Sequence, residues 1–226
     1  MRKISGMILC LVWHAWAENL QVLQYTGVRV PGEGNSTYLI ERKEPVACMD
    51  IVITPRTLFG DASRKVDSAC TRRVFTTLGT IQPIQIDPQI QTVGELEVLR
   101  FIKASVQHPD DYLLIDARKP QWYKTGTIPT AVNIPYNEIA YDADFPEEWE
   151  RLLRLLHIEK GKSGYTFSHA KKILLFCNGA WCVQSVRAIR ELIKLGYPKR
   201  KMLWYRGGVQ DWLAMGFETV PPSESH

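Results

Sequence analysis

Two cysteines five positions apart, Cys177 and Cys182, frame the segment Cys177-Asn178-Gly179-Ala180-Trp181-Cys182, which follows directly on the apolar run Lys172-Ile173-Leu174-Leu175-Phe176. A strand that ends in a cysteine, turns through a glycine and enters a helical pattern sets a thiol at a helix N-terminus. There the unpaired N–H groups and the positive end of the helix dipole stabilise a thiolate. Such a thiolate attacks sulfur or carbon electrophiles. The second cysteine also lets the site close into a disulfide.

The elements that must hold this turn alternate along the chain. A short strand is expected at 84–86 and an amphipathic helix over 92–106, with Leu96, Leu99, Phe101 and Ile102 on one face. Residues 112–115 read as a buried strand ending at Asp116, and 132–134 as another, stopped by Pro135. Pro146-Glu147-Glu148-Trp149 opens a helix to 156, its acidic first turn matched to the dipole. A polar connector at 160–172 precedes the strand to Cys177. A helix over 183–195, a strand at 202–205 and a helix over 209–215 follow. Apolar strands alternating with amphipathic helices predict an α/β domain, its parallel sheet covered on both faces.

Three motifs carry a resemblance over about 86–222. Leu114-Ile115-Asp116-Ala117-Arg118 leads into Gly126-Thr127-Ile128-Pro129-Thr130-Ala131-Val132-Asn133-Ile134-Pro135. The strand–cysteine–loop–helix at Cys177 comes second, and Tyr205-Arg206-Gly207-Gly208-Val209-Gln210-Asp211-Trp212 third. In this order and at this separation they resemble the rhodanese superfamily, implying a five-stranded parallel sheet flanked by helices and a sulfurtransferase activity. The active loop is similar to a variant, Cys-x-Gly-x-x-Cys. The family's common loop has an arginine five positions after the nucleophile, where Cys182 stands here. Thr127 replaces the usual histidine, which argues against general-base chemistry there. The phosphatase branch wants an arginine six positions on, where Val183 sits.

On this reading the Cys177 thiolate attacks the outer sulfur of a donor (thiosulfate, a polysulfide or a persulfide). The resulting persulfide is held by backbone N–H groups of the loop formed by Asn178, Gly179, Ala180, Trp181, Cys182 and Val183. A thiophilic acceptor, such as a thiol, then removes the sulfur. Counting from Cys182 puts Arg187 five positions on, but that register places the nucleophile inside the turn and finds no glycine, so Cys177 is preferred. Cys182 is open to two readings, a thiol that resolves the persulfide or a packing residue of the first helical turn. Asp116 and Arg118 are candidates to border the cleft, with an internal ion pair or loop anchor as the alternative. Arg206 is a candidate to supply the missing cation from the last loop, and Trp181 to wall the pocket or pack beside the turn. His108, His157 and His169 share no metal-like spacing with the cysteines, so neither metal nor cofactor is expected.

The chain has 226 residues, 45% of them hydrophobic, enough for one α/β domain and a smaller appendage. Residues 1–17 read as an export signal: basic Arg2 and Lys3, an apolar run, and Ala15-Trp16-Ala17 as a cleavage site. The apolar run is short for a membrane span, so none is expected after cleavage. The formal charge of +4 falls to +2 once Arg2 and Lys3 go, too little to argue for nucleic acid. Residues 18–85 form a small β-rich extension with runs at 37–40, 49–53 and 74–77. Cys48 and Cys70 within it are expected to pair as a structural disulfide, worth about 3 kcal/mol. The expected location is the periplasm, where a Cys177–Cys182 disulfide requires a thiol reductant as partner. Two other functions stay open: a thiol–disulfide redox or sulfur-carrier protein using the Cys177/Cys182 pair, and a binding module without catalysis.

Overall fold

A computed structural model describes residues 25–32, 36–42, 80–162 and 164–221. Its centre is a five-stranded parallel sheet. The strands are β3 (Gln91–Val93), β4 (Tyr112–Asp116), β5 (Val132–Asn133), β8 (Lys172–Phe176) and β9 (Met202–Tyr205), in the spatial order β3-β9-β8-β4-β5. The helices between them are α1 (Glu95–Gln107), the short α2 (Pro120–Tyr123), α3 (Pro146–Leu156), α4 (Gln184–Leu195) and α5 (Gly208–Ala214). The family's sheet expected from the sequence is present.

Alternation along each strand sorts its side chains onto two faces. Ile173, Leu175, Met202 and Trp204 pack with Leu152 and Leu156 of α3 and with Val186 and Ile189 of α4. Leu174, Phe176, Leu203 and Tyr205 pack with Val98, Leu99 and Ile102 of α1 and Trp212 of α5. Ile173, Leu174, Leu175 and Phe176 are all fully buried. At about 2 kcal/mol for each buried apolar side chain, β8 is firmly anchored in the sheet. Cys177, the next residue, therefore starts from a rigid point.

In the extension, β1 (Tyr25–Pro31) and β2 (Thr37–Arg42) form an antiparallel hairpin. Its Val28, Val30 and Ile40 join the core face that holds α1. The run expected at 37–40 falls in β2. Those at 49–53 and 74–77, Cys48 and Cys70, and the signal at 1–17 all lie outside the described residues.

Several boundaries differ from the sequence expectation. Residues 84–86 are not a strand. Pro83 and Pro88 carry no N–H to offer a ladder, and Asp87 caps a turn, accepting from the N–H of Gln89 and Ile90. The edge strand is instead Gln91–Val93, beside β9. The helix expected from residue 92 begins at Glu95, with the Gly94 N–H donating to the Glu97 carboxylate. The buried face of the helix is Val98, Leu99, Phe101 and Ile102, and Leu96 points outward, 54% exposed. The 160–172 connector contains a short exposed hairpin, β6 (Glu159–Gly161) with β7 (Gly164–Thr166).

Candidate active site

Parallel strands present their carboxyl ends together, and here Asp116, Phe176 and Tyr205 lie side by side in register. The loop from Cys177 to Cys182 leaves that end and enters α4. Its main chain is fixed by its carbonyls, each of which has a partner. Cys177 O accepts from the Val209 N–H at 3.0 Å, and Asn178 O from the Gln210 N–H at 2.9 Å. Gly179 O accepts from the Cys182 N–H at 2.9 Å. Ala180 O and Trp181 O accept from the N–H groups of Gln82, at 2.8 Å, and Thr80, at 3.1 Å. In a trans peptide the N–H opposes the carbonyl, so the carbonyls tied to partners outside the loop leave the N–H groups of Asn178, Gly179 and Trp181 turned inward, while the Cys182 N–H closes the loop on Gly179 O. The result is a concave run of donors of the kind that binds anions.

Two glycines permit this geometry. Gly208 has φ of 60°, and a Cβ there would lie 2.2 Å from Cys177 O. A Cβ on Gly179 would press on the Gln210 carboxamide oxygen at 2.9 Å, which accepts from the Trp181 indole at 2.6 Å. Trp181 is thereby fixed across the loop toward α5, itself half-buried like Asn178, Ala180 and Val183.

Cys177 and Cys182 are both reduced, 2% and 4% exposed, and in hydrogen-bond contact with each other. The start of α4 has no side-chain cap. Its orphan amides serve the sulfurs instead. The Ser185 N–H and hydroxyl reach Cys177 Sγ, the hydroxyl at 3.3 Å, and Trp204 holds that hydroxyl from behind at 3.0 Å. The Asn178 and Gln184 N–H groups and the Asn178 side chain reach Cys182 Sγ. The Cys177 thiol donates to the carbonyl oxygen of Cys182 at 3.3 Å.

The two thiols titrate as a pair. Burial pushes Cys177 well up, and the neighbouring Cys182 adds to the rise. The hydrogen bond from Cys177 brings Cys182 down to about 7, against the opposing effect of burial, with the amides of Asn178 and Gln184 assisting. Of the two, Cys182 is therefore the more readily ionised, whereas the sequence reading places the thiolate on Cys177. The cause is the hydrogen bond that Cys182 receives, against the burial that opposes ionisation of Cys177.

Asp116 and Arg118 do not border the cleft. They are 0% and 2% exposed and form a bidentate ion pair, with a closest approach of 2.6 Å. Thr127 Oγ1 donates to Asp116 at 2.7 Å, and Arg118 donates to Gly126 O at 2.7 Å. Asn133 spans the main-chain carbonyls of Asp116 and Arg118. The first motif is thus an internal lock on the strand ends. Arg206 is likewise engaged, donating twice to Gln82 O. Among the described residues no group of His, Cys, Asp and Glu is placed to hold a metal ion, and no helix is long and apolar enough to cross a membrane.

Sequence reasoning missed four partners: Ser185 as the Cys177 hydrogen-bond donor, Gln210 as the Trp181 anchor, and the amides of Thr80 and Gln82. Ser185 carried a signal, sitting one residue inside the helix that follows the loop. The Thr80 and Gln82 contacts run through main chain and leave no residue-type signature.

The family model described as "Rhodanese-like domain" matches residues 101–215. The mitochondrial thiosulfate sulfurtransferase RDL2 of Saccharomyces cerevisiae is 28% identical over 167 residues, covering 73% of this chain and 96% of that protein. Among solved structures, the yeast single-domain RDL2 aligns with 25% identity over 57% of this chain and 92% of its own, TM-score 0.36. The human single-domain sulfurtransferase TSTD1 aligns with 22% identity over 57% and 97%, TM-score 0.36.

Proposed function

The chain belongs to the rhodanese-like family, and from that premise we propose that it is a sulfurtransferase whose Cys177 carries the transferred sulfur. A relative named for thiosulfate sulfurtransfer supports the reaction class. The observation that carries the site assignment is the loop itself: the carbonyls of Cys177, Asn178, Ala180 and Trp181 are tied to partners outside the loop, around a cysteine at the end of the sheet's central strand.

The reaction begins with proton movement along the Cys177–Cys182 hydrogen bond. Cys182, the better anion of the pair, accepts the proton of Cys177. The Cys177 thiolate then attacks the outer sulfur of thiosulfate or a persulfide donor, and sulfite or a thiolate leaves. The inward amides of the loop and the positive end of α4 stabilise the persulfide anion. A thiol acceptor takes the sulfur from Cys177.

The proposal extends to place: residues 1–17 direct export, cleavage follows Ala17, and the mature chain works in the periplasm with Cys48 and Cys70 paired. N-terminal sequencing of the mature protein and non-reducing peptide mapping check both points. The activity is tested by transfer of sulfur from thiosulfate, and separately from glutathione persulfide, to a small thiol or cyanide. Cys177→Ser is expected to lower the rate by more than about a thousandfold, since loss of a nucleophile removes the covalent route. Undiminished transfer by that variant contradicts the assignment.

A further inference from the structure

Cys182 does more in this geometry than tune its neighbour. Cys177 Sγ donates to Cys182 O at 3.3 Å, and Cys182 Sγ lies between the Asn178 side-chain amide at 3.9 Å and the Gln184 carboxamide oxygen at 3.8 Å. The position where the family's common loop carries an arginine is occupied by a second nucleophile. Among the described residues no other cation compensates at the loop: Arg118 is locked on Asp116, and Arg206 on Gln82 O. Arg187 faces outward, over the Tyr136 ring at 5.8 Å. A persulfide anion on Cys177 thus forms beside a second thiol that readily ionises, in a site from which water is nearly excluded. A buried anion with no cation beside it among the described residues is costly.

Resting on the reading of Cys177 as the sulfur carrier, we propose that Cys182 displaces that sulfur as hydrosulfide, giving the protein a sulfane-sulfur reductase activity with a dithiol as its reductant. The steps balance. After sulfite leaves, the proton held by Cys182 returns to the outer sulfur of the Cys177 persulfide. The Cys182 thiolate attacks Cys177 Sγ, forming the Cys177–Cys182 bond and breaking the bond to the outer sulfur, which departs as HS⁻. Two electrons from the cysteine pair reduce the sulfane sulfur to sulfide, and the pair becomes a disulfide. Departure of HS⁻ leaves a neutral disulfide, which relieves the buried charge. A dithiol then reduces the disulfide by exchange, taking its two electrons and two protons from the reductant. The reductant must reach a loop only slightly exposed, so its first attack falls on Cys182, the sulfur nearer the half-buried Asn178 and Gln184.

The test uses the full chain, pre-reduced and freed of reductant, mixed with thiosulfate and separately with glutathione persulfide. Sulfite, sulfide and intact mass are followed for wild type, Cys177→Ser, Cys182→Ser and Cys182→Ala. Circular dichroism verifies that each variant is folded, and the two Cys182 variants check each other. With thiosulfate, wild type is expected to release sulfite and sulfide in equal amounts and to lose two hydrogens. Both Cys182 variants are expected to keep a stable adduct of about 32 Da, with sulfide at background. Wild type that keeps the adduct as stably as the Cys182 variants, or forms the disulfide without sulfide, overturns the proposal while leaving Cys177 as carrier. Absence of any adduct on the Cys182 variants from either donor overturns the carrier reading, and this proposal with it.

Discussion

Arg206 donates through Nε and a terminal nitrogen to the main-chain carbonyl of Gln82, at 3.1 and 2.9 Å. The sequence offers Arg206 as the cation missing from the active loop, but the structure gives it a different task. Its guanidinium fixes the strap whose Thr80 and Gln82 amides hold Trp181 O and Ala180 O. The Gln82 side chain reinforces the strap by donating to Thr80 O. The outer half of the anion-binding loop is thereby held by residues that precede the sheet in sequence.

Arg206→Ala is therefore expected to loosen the strap. A hydrogen bond to a charged group contributes about 1.5–3 kcal/mol, so the Thr80 and Gln82 amides should exchange at least about tenfold faster with solvent. Hydrogen exchange read by mass or NMR checks this. Unchanged protection of these amides, with a raised KM for thiosulfate alone, returns Arg206 to the role of anion ligand.

Gly208 meets the active loop from the other side. Gly208→Ala forces an L side chain into φ of 60° and sets its Cβ 2.2 Å from Cys177 O. The bond from Val209 to that carbonyl must then give. The expected loss is about 2–4 kcal/mol of stability, read from urea unfolding, together with a large fall in sulfur transfer. A variant as stable and active as wild type contradicts the packing described.

Asp116 tests the lock beneath the site. Asp116→Asn leaves the Arg118 guanidinium buried without its counter-charge and weakens the Thr127 contact. Breaking a buried pair from one side costs about 3–5 kcal/mol. Thermal and urea unfolding should show a loss of this size, while the molecules that remain folded still take up sulfur on Cys177. Full stability with loss of sulfur uptake would instead put Asp116 at the cleft.

The pH dependence follows from the cysteine pair. Cys182 titrates near 7, below an ordinary thiol, because Cys177 donates to its thiolate. Alkylation by iodoacetamide should therefore rise as pH increases through about 7 and level off above it, with Cys182 modified first. Removing the donor, in Cys177→Ala, should move that midpoint upward toward the ordinary thiol range. A midpoint that stays in place shows that the amides alone hold the Cys182 charge.

What the sequence made legible depended on the kind of interaction. The buried runs at Leu113–Leu114–Ile115 and Ile173–Leu174–Leu175 announced central parallel strands, because full burial leaves no polar face. Cys177 was legible from its place between strand and helix. The roles of Asp116, Arg118 and Arg206 were not, because a charged residue beside a cleft and one turned inward have the same sequence signature. Their assignment needed Thr127, Gly126 O and Gln82 O in place. The edge strand Gln91–Val93 was missed for a similar reason: three residues with a single buried side chain carry too short a pattern to outweigh the Ile84-Gln85-Ile86 alternation.

The central claim is that Cys177 carries the sulfur. Its most direct test is peptide mapping of reduced Cys182→Ser after exposure to thiosulfate or glutathione persulfide, with free sulfur trapped by alkylation. The account predicts an added mass of about 32 Da on the peptide containing Cys177, and none on any peptide of Cys177→Ser. Sulfur recovered on Cys182 of the Cys177→Ser protein, or on no cysteine of Cys182→Ser, contradicts it.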